Sequence, residues 1–109
     1  MPILIKNYIT TFFAVLNDKE AIIEDIEILA DHFQENTYST VIFLLTPKLE
    51  KYKSRIIREI GDGVEIEVLE LEEISSFIED TIMDETYTVV VSNVDNDWLD
   101  CDYIDITNL

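Results

Sequence analysis

The sequence is short of glycine, proline and cysteine, and beyond Arg58 it has no positive charge at all. Its two glycines, Gly61 and Gly63, flank Asp62. Phosphate cradles of the Walker or dinucleotide-binding type need several glycines at fixed spacing where a strand turns into a helix. Neither pattern occurs, and Gly61-Asp62-Gly63 reads as a helix stop followed by a turn. No cofactor is therefore expected. The single cysteine, Cys101, excludes an internal disulfide framework and fits a reducing compartment. Asp100 and Asp102 beside it disfavour a thiolate, so it reads as an ordinary, partly buried residue. One histidine, His32, leaves no Ser-His-Asp or Cys-His arrangement to identify. It has no second ligand of its own kind and is expected to bond solvent or a helix end rather than a metal. No long hydrophobic run exists either. Phe12 to Leu16 is too short to span a bilayer, Thr10 and Thr11 interrupt the approach to it, and no small-x-small cleavage site follows. A core strand explains it, and a soluble, cytoplasmic protein is expected.

What the chain has in quantity is acid. It holds 24 Asp and Glu against 7 Lys and Arg, a formal charge of −17 over 109 residues. The first sixty residues carry nine acids and seven bases, whereas Gly61 to Leu109 carries fifteen acids and no Lys or Arg. So one-sided a field repels nucleic acid and anionic membranes and attracts a basic surface. This is not the composition of a disordered tail, because 48% of the residues are hydrophobic and the acidic half is itself rich in Val, Ile and Leu. The length suits one domain with a real core, residues 1–109.

Periodicity sets the order of elements. Tyr8 to Leu16 ends in a fully apolar run, which suits a central strand buried on both faces. Asn17 stands three residues before Glu20, at capping-box spacing, and the helix that follows is expected to run to about Gln34. Ile22, Ile26, Leu29, Ala30 and Phe33 form its apolar stripe; Glu20, Glu24, Glu27, Asp31 and Glu35 form its solvated one. Thr40 to Leu45 is the second strand. Thr46 as cap and Pro47 in the first helical position open a second helix reaching Ile60. Its buried face is Leu49, Tyr52, Ile56, Ile57 and Ile60. Lys48, Lys51 and Arg55 share another side, with Lys53 and Arg58 on neighbouring positions, and this reads as a solvated basic face. Val64-Glu65-Ile66-Glu67-Val68 alternates strictly, as a half-exposed edge strand does. It predicts Glu65 and Glu67 exposed, with Val64, Ile66 and Val68 buried. A third helix, roughly Glu72 to Asp84, buries Ile74, Phe77, Ile78 and Ile82. Tyr87 to Val91 is the fourth strand. A polar loop from Ser92 to Asp102 follows, and Tyr103 to Ile106 is a candidate last strand.

Strands alternating with helices argue a single Rossmann-like three-layer α/β domain with a mostly parallel sheet of four or five strands. Burial patterns place the alternating third strand at an edge, giving the order 3-2-1-4, with a last strand flanking the fourth. Ligands of such sheets bind where the chain direction reverses, here beside strands one and four at their C-terminal ends. Asn17, Asp18, Ser92, Asn93 and Asp95 would line that crevice, with Thr46 next door. Acidic and poor in glycine, it suits a cation or a hydroxyl-rich ligand better than a bare phosphate.

The middle of the chain bears a further likeness. A strand ending Leu44-Leu45-Thr46-Pro47, a Lys-rich helix, the stretch Val64-Glu65-Ile66-Glu67-Val68-Leu69-Glu70-Leu71, and then Ile74-Ser75-Ser76-Phe77-Ile78 together resemble the Rossmann-like CARF domains of CRISPR-associated sensor proteins. The similarity is one of pattern and spans roughly Tyr8 to Asn93. It implies a domain that binds cyclic oligoadenylate across a homodimer interface, with Thr46 as a ligand-loop position. The Gly-Gly-Thr-Lys-like turn of that family has Ser92-Asn93-Val94-Asp95 in its place here, so the phosphate contacts do not carry over.

Two features remain. Asp95-x-Asp97-x-x-Asp100-x-Asp102 sets four carboxylates in eight residues, a donor set that hard cations accept. The central glycine and terminal glutamate of an EF-hand are absent, so a solvated acidic loop is the simpler reading and no metal site is assigned. Trp98 within it reads either as an aromatic anchor for a basic partner or as a cover for the end of the sheet. No carboxylate pair can be placed at glycosidase spacing. The leading interpretation is a small, non-enzymatic interaction protein. Asp95, Asp97, Trp98, Asp100, Asp102 and Asp105, with Glu65, Glu67 and Glu70, would present carboxylates to a basic protein surface. A nucleic-acid-binding partner fits, because carboxylates can occupy sites made for phosphates. No direct nucleic-acid or membrane binding is expected. The alternative is the CARF-like ligand sensor, and a homodimer would follow if the basic helix pairs with the acidic half of a second copy. The plainest reading is an acidity that serves solubility alone.

Overall fold

Apolar runs make the strands and amphipathic stretches the helices, and the two alternate along the chain. The computed structural model describes residues 9–82, 86–93, 99 and 101–109. Five strands, β1 (Ile9–Leu16), β2 (Thr40–Leu45), β3 (Glu65–Val68), β4 (Thr86–Ser92) and β5 (Ile104–Asp105), form one sheet in the order β3-β2-β1-β4-β5. Every neighbouring pair is parallel, and helices join β1 through β4 in turn as such pairing requires. The helices are α1 (Ile22–Glu35), α2 (Lys53–Ile60) and α3 (Leu71–Thr81). The chain is thus a Rossmann-like α/β fold, with β3 at one edge.

Alternation of side chains along β1 splits the core into two layers. Phe12, Ala14 and Leu16 join Phe43, Leu45 and Val91 beneath Ile22, Ile26 and Leu29 of α1 and Ile56 of α2. Phe13 and Val15 point the other way, to Ile42, Leu44 and Val90 beneath Ile74 and Ile78 of α3, with Leu99. Phe12, Phe13 and Phe43 are fully buried, and each such ring contributes about 3 kcal/mol of transfer free energy. Both faces of β1 are covered, so its sequence is continuous rather than alternating. His32 belongs to an aromatic group over the start of β1. It stacks on Tyr38 at 5.7 Å, shares a 2.7 Å hydrogen bond with that phenol through Nε2, and lies 5.5 Å from the Phe12 ring. Burial raises the Tyr38 hydroxyl above its usual pKa.

Several local expectations are corrected. Asn17 does not cap α1: the helix starts at Ile22, Ala21 precedes it, and no side chain caps it. Thr46 makes no capping hydrogen bond, and the segment it opens is a 3-10 helix, Pro47–Tyr52, before α2 begins. A proline early in a short tight turn favours this geometry. Ile57 and Ile82, expected in buried faces, are each 42% exposed. α3 stops at Thr81, which leaves Ile82 beyond the stripe that packs on the sheet. Glu65 is exposed as expected, but Glu67 is half-buried, as are Val64, Ile66 and Val68. A four-residue edge strand has a neighbour on one side only, so neither of its faces is closed. No helix among the described residues is long and apolar enough to cross a membrane.

Candidate functional site

The chain reverses between β1 and β4: α1 and α2 cover one face of the sheet and α3 the other. At the C-terminal ends of those strands the crevice is tied shut by side chains. Asn93, 4% exposed, directly follows β4, and its amide N–H donates to Val15 O at 3.3 Å. Its Oδ1 accepts from the Asn17 backbone N–H at 2.9 Å, and its Nδ2 donates to the Asn17 carbonyl at 3.0 Å. One side-chain amide thereby plays the part of a neighbouring strand for the residue that leaves β1. The Asn17 side chain is occupied in turn, because its Oδ1 accepts from Thr46 Oγ1 at 3.1 Å.

The backbone N–H groups just past the other strand ends are consumed in the same way. Thr46 N–H donates to Leu16 O at 3.2 Å and Leu69 N–H to Leu45 O at 2.9 Å. With Asn17 and Asn93, the N–H groups at the ends of β1, β2, β3 and β4 are satisfied within the chain. An anion-binding crevice needs such groups turned toward the ligand.

Beside this network lies a carboxylate that the sequence reading passed over. Asp25 is on α1 but only 5% exposed, and its Oδ2 accepts from Asn93 Nδ2 at 3.0 Å. Burial pushes its carboxyl above the ordinary carboxylate range, and the charges of Asp105 and Glu24 add to that; the Asn93 hydrogen bond and the Lys19 ammonium act the other way. The signal was present in the sequence. Asp25 falls three residues after Ile22 and four before Leu29, on the buried stripe rather than the solvated one.

Two clefts open on either side of the tie. One, about 410 Å³, has Asn17, Asp18, Thr46, Lys48 and Glu70 in its wall. The other, about 330 Å³, is walled by Lys19, Asp25, Asn93, Asp105 and Thr107. Asp105 Oδ1 accepts from Thr107 N–H at 2.9 Å and from Thr107 Oγ1 at 2.7 Å, which caps the short 3-10 turn Ile106–Asn108. Each wall thus holds two carboxylates and one lysine.

Of the expected crevice residues, Asn17, Asp18 and Thr46 stand in the first cleft with Glu70, Asn93 stands in the second with Asp25 and Asp105, and Ser92 is fully buried and in neither wall. Asp102 is exposed and lies farther round, beside β4. Glu65 and Glu67 sit on β3, at the opposite edge from β5. Four strand spacings of about 4.8 Å put roughly 19 Å between those edges, so Glu65 and Glu67 stand well apart from Asp105. Asp95, Asp97, Trp98 and Asp100 lie outside the described residues. Among the described residues no three His, Cys, Asp or Glu side chains gather to hold a metal ion. Comparison with protein-family models, with curated proteins and with solved structures finds no match.

Proposed function

We propose that the protein is a non-catalytic binding module whose carboxylate-bearing C-terminal crest docks a basic surface of a partner protein. The observation that carries this is the state of the crest: the N–H groups just past β1, β2, β3 and β4 are bonded within the chain, while Asp18, Glu70, Asp25 and Asp105 line its clefts. A ligand rich in phosphate would meet carboxylates there and none of those strand-end donors. A lysine- or arginine-rich surface would meet complementary charge, which chiefly speeds and orients association. A nucleic-acid-binding protein is a natural partner, because its phosphate sites accept carboxylates. A reducing, cytoplasmic setting fits the single cysteine.

The test compares two triple variants of equal charge change against a ten-residue oligolysine probe. Asp18→Lys, Glu70→Lys and Asp102→Lys together change exposed acids on the crest and the adjoining β4 side. Glu27→Lys, Asp31→Lys and Glu35→Lys change exposed acids on α1, away from the crest. The first set is expected to weaken binding at least tenfold and the second less than threefold. Equal weakening would mean that acidity acts only through total charge, and the docking reading would fall. Micromolar binding of a cyclic oligoadenylate to the unmodified protein would promote the ligand-sensing reading in its place.

A further inference from the structure

Two helices of opposite charge lie side by side on one face of the sheet. α1 and α2 both cover the layer built on Phe12 and Phe43, and they touch one another there. On α1 the exposed residues Glu24, Glu27, Asp31 and Glu35 recur at steps of three and four, so they form one stripe turned away from the sheet. Five of the chain's seven Lys and Arg lie between Lys48 and Arg58. Of these, Lys48, Lys51 and Arg58 are exposed and Lys53 is half-buried. Arg55 is engaged by Glu59 of its own helix at 3.5 Å. Among the described residues the other charges of the two stripes form no ion pair within the chain.

The stripes also match in direction and length. Each helix follows one parallel strand and precedes the next, so the two run the same way. At about 1.5 Å per residue α1 is about 21 Å long. Pro47–Tyr52 followed by α2, at about 2.0 and 1.5 Å per residue, is about 24 Å long. The exposed Ile57 lies one turn from Lys53 and adds apolar surface to the basic stripe.

We propose that this layer is a self-complementary interface at which a second copy of the chain docks, α1 of each copy facing α2 of the other. The inference is independent of the docking reading of the crest. Symmetry and charge together select the arrangement. A two-fold axis parallel to the helices sets an acidic stripe against a basic one, twice. A two-fold axis across them would set α1 on α1, acid against acid, which costs free energy. The acids of α3 lie on the opposite face of the sheet. A helix alone is about 10 Å across, so a copy docked on α1 and α2 is beyond the ~8 Å range of those charges at physiological ionic strength. Two helices of this width and length offer roughly 420 Å² of face, against about 800 Å² per partner in a stable complex. The dimer is therefore weak, and salt dissociates it.

Sedimentation equilibrium in low salt, with protein up to about 1 mM, reads the self-association. The parent should form a dimer that weakens at least tenfold in high salt. Glu27→Lys, Asp31→Lys and Glu35→Lys together should weaken it at least tenfold, as should Lys51→Glu, Lys53→Glu and Arg58→Glu together. The first set changes three acids by two charge units each and takes the formal charge from −17 to −11. Repulsion between whole molecules would then fall and association would tighten, the opposite result. An equimolar mixture of the two variants should recover a dimer within threefold of the parent. There the reversed α1 of one meets the reversed α2 of the other, and the unchanged helices meet likewise. A monomeric parent at the highest concentration, tighter association of the first variant, or no recovery in the mixture would overturn the proposal. Equal loss on changing Asp18→Lys, Glu70→Lys and Asp102→Lys would show that the basic helix meets the crest of another copy, and would refute the pairing of α1 with α2. Oligolysine binding by the monomer is read separately, so either reading can fail without the other.

Discussion

Asp25 is the residue whose environment costs the protein stability. Its carboxyl is raised by burial first, so the folded chain holds the proton more tightly than the unfolded one. The sign follows from linkage. Stability from this group is fully present below its ordinary pKa of 3.8, where it is neutral in both states, and is lost as pH rises through the higher folded value. At neutral pH the carboxylate is therefore a liability. Asp25→Asn should raise stability at pH 7 by about 1 kcal/mol, a Tm gain of about 4–8 °C, because the Asn carbonyl still accepts from Asn93. Between pH 4 and 7 the difference between variant and parent should widen with rising pH. Unchanged or lower stability at pH 7, by chemical denaturation, would show that Lys19 and Asn93 fully offset the burial.

Among the elements, the clearest contrast is between the two glycines that end α2. Gly61 has φ of 128° and ψ of 163°, a region that side-chain-bearing residues avoid, and its N–H closes the helix on Ile57 O at 2.9 Å. A Cβ there would meet no atom within 4 Å, so any penalty is backbone strain alone. Gly61→Ala should cost about 1–3 kcal/mol. Gly63→Ala, with equal space and no positive φ, should stay within about 0.5 kcal/mol. Thermal unfolding of both variants checks the pair; equal effects would refute the assignment of strain. β2 was legible to the residue, and the alternation of β3 placed that strand at an edge. The shared reason is that a strand's period shows directly how many of its faces are covered. Helix starts were less legible. Asn17 and Thr46 carry capping chemistry, but their side chains bond each other across 29 residues, while the Asn17 backbone is held by the Asn93 side chain 76 residues away.

At the scale of the molecule, a charge of −17 acts on folding and on binding with opposite signs. Exposed carboxylates repel one another in the folded state, and salt shortens the range of that repulsion from about 10 Å at 0.1 M to about 3 Å at 1 M. Tm should therefore rise over that interval. The association rate with a basic probe should fall over the same interval, because the steering field is screened too. Stopped-flow association beside calorimetric melting gives both slopes on one sample. Slopes of the same sign would separate the acidity from recognition.

The sequence alone determined the class of fold, the strand order, the edge position of β3 and the asymmetry of charge. Each depends on composition or on a short period, and neighbours along the chain suffice to read it. Only the tertiary structure decided that Asp25 is buried, that Asn93 ties the crevice to Asn17, and that Glu70 and Asp105 join the crest while Glu65 and Glu67 stand at the far edge. It also decided that β5 pairs with the last two residues of β4. These depend on contacts between residues 29 to 76 positions apart, and long-range contacts leave no local period behind. A polar residue has the same sequence signature whether it faces water or a buried amide, and packing of the two layers against β1 settles which.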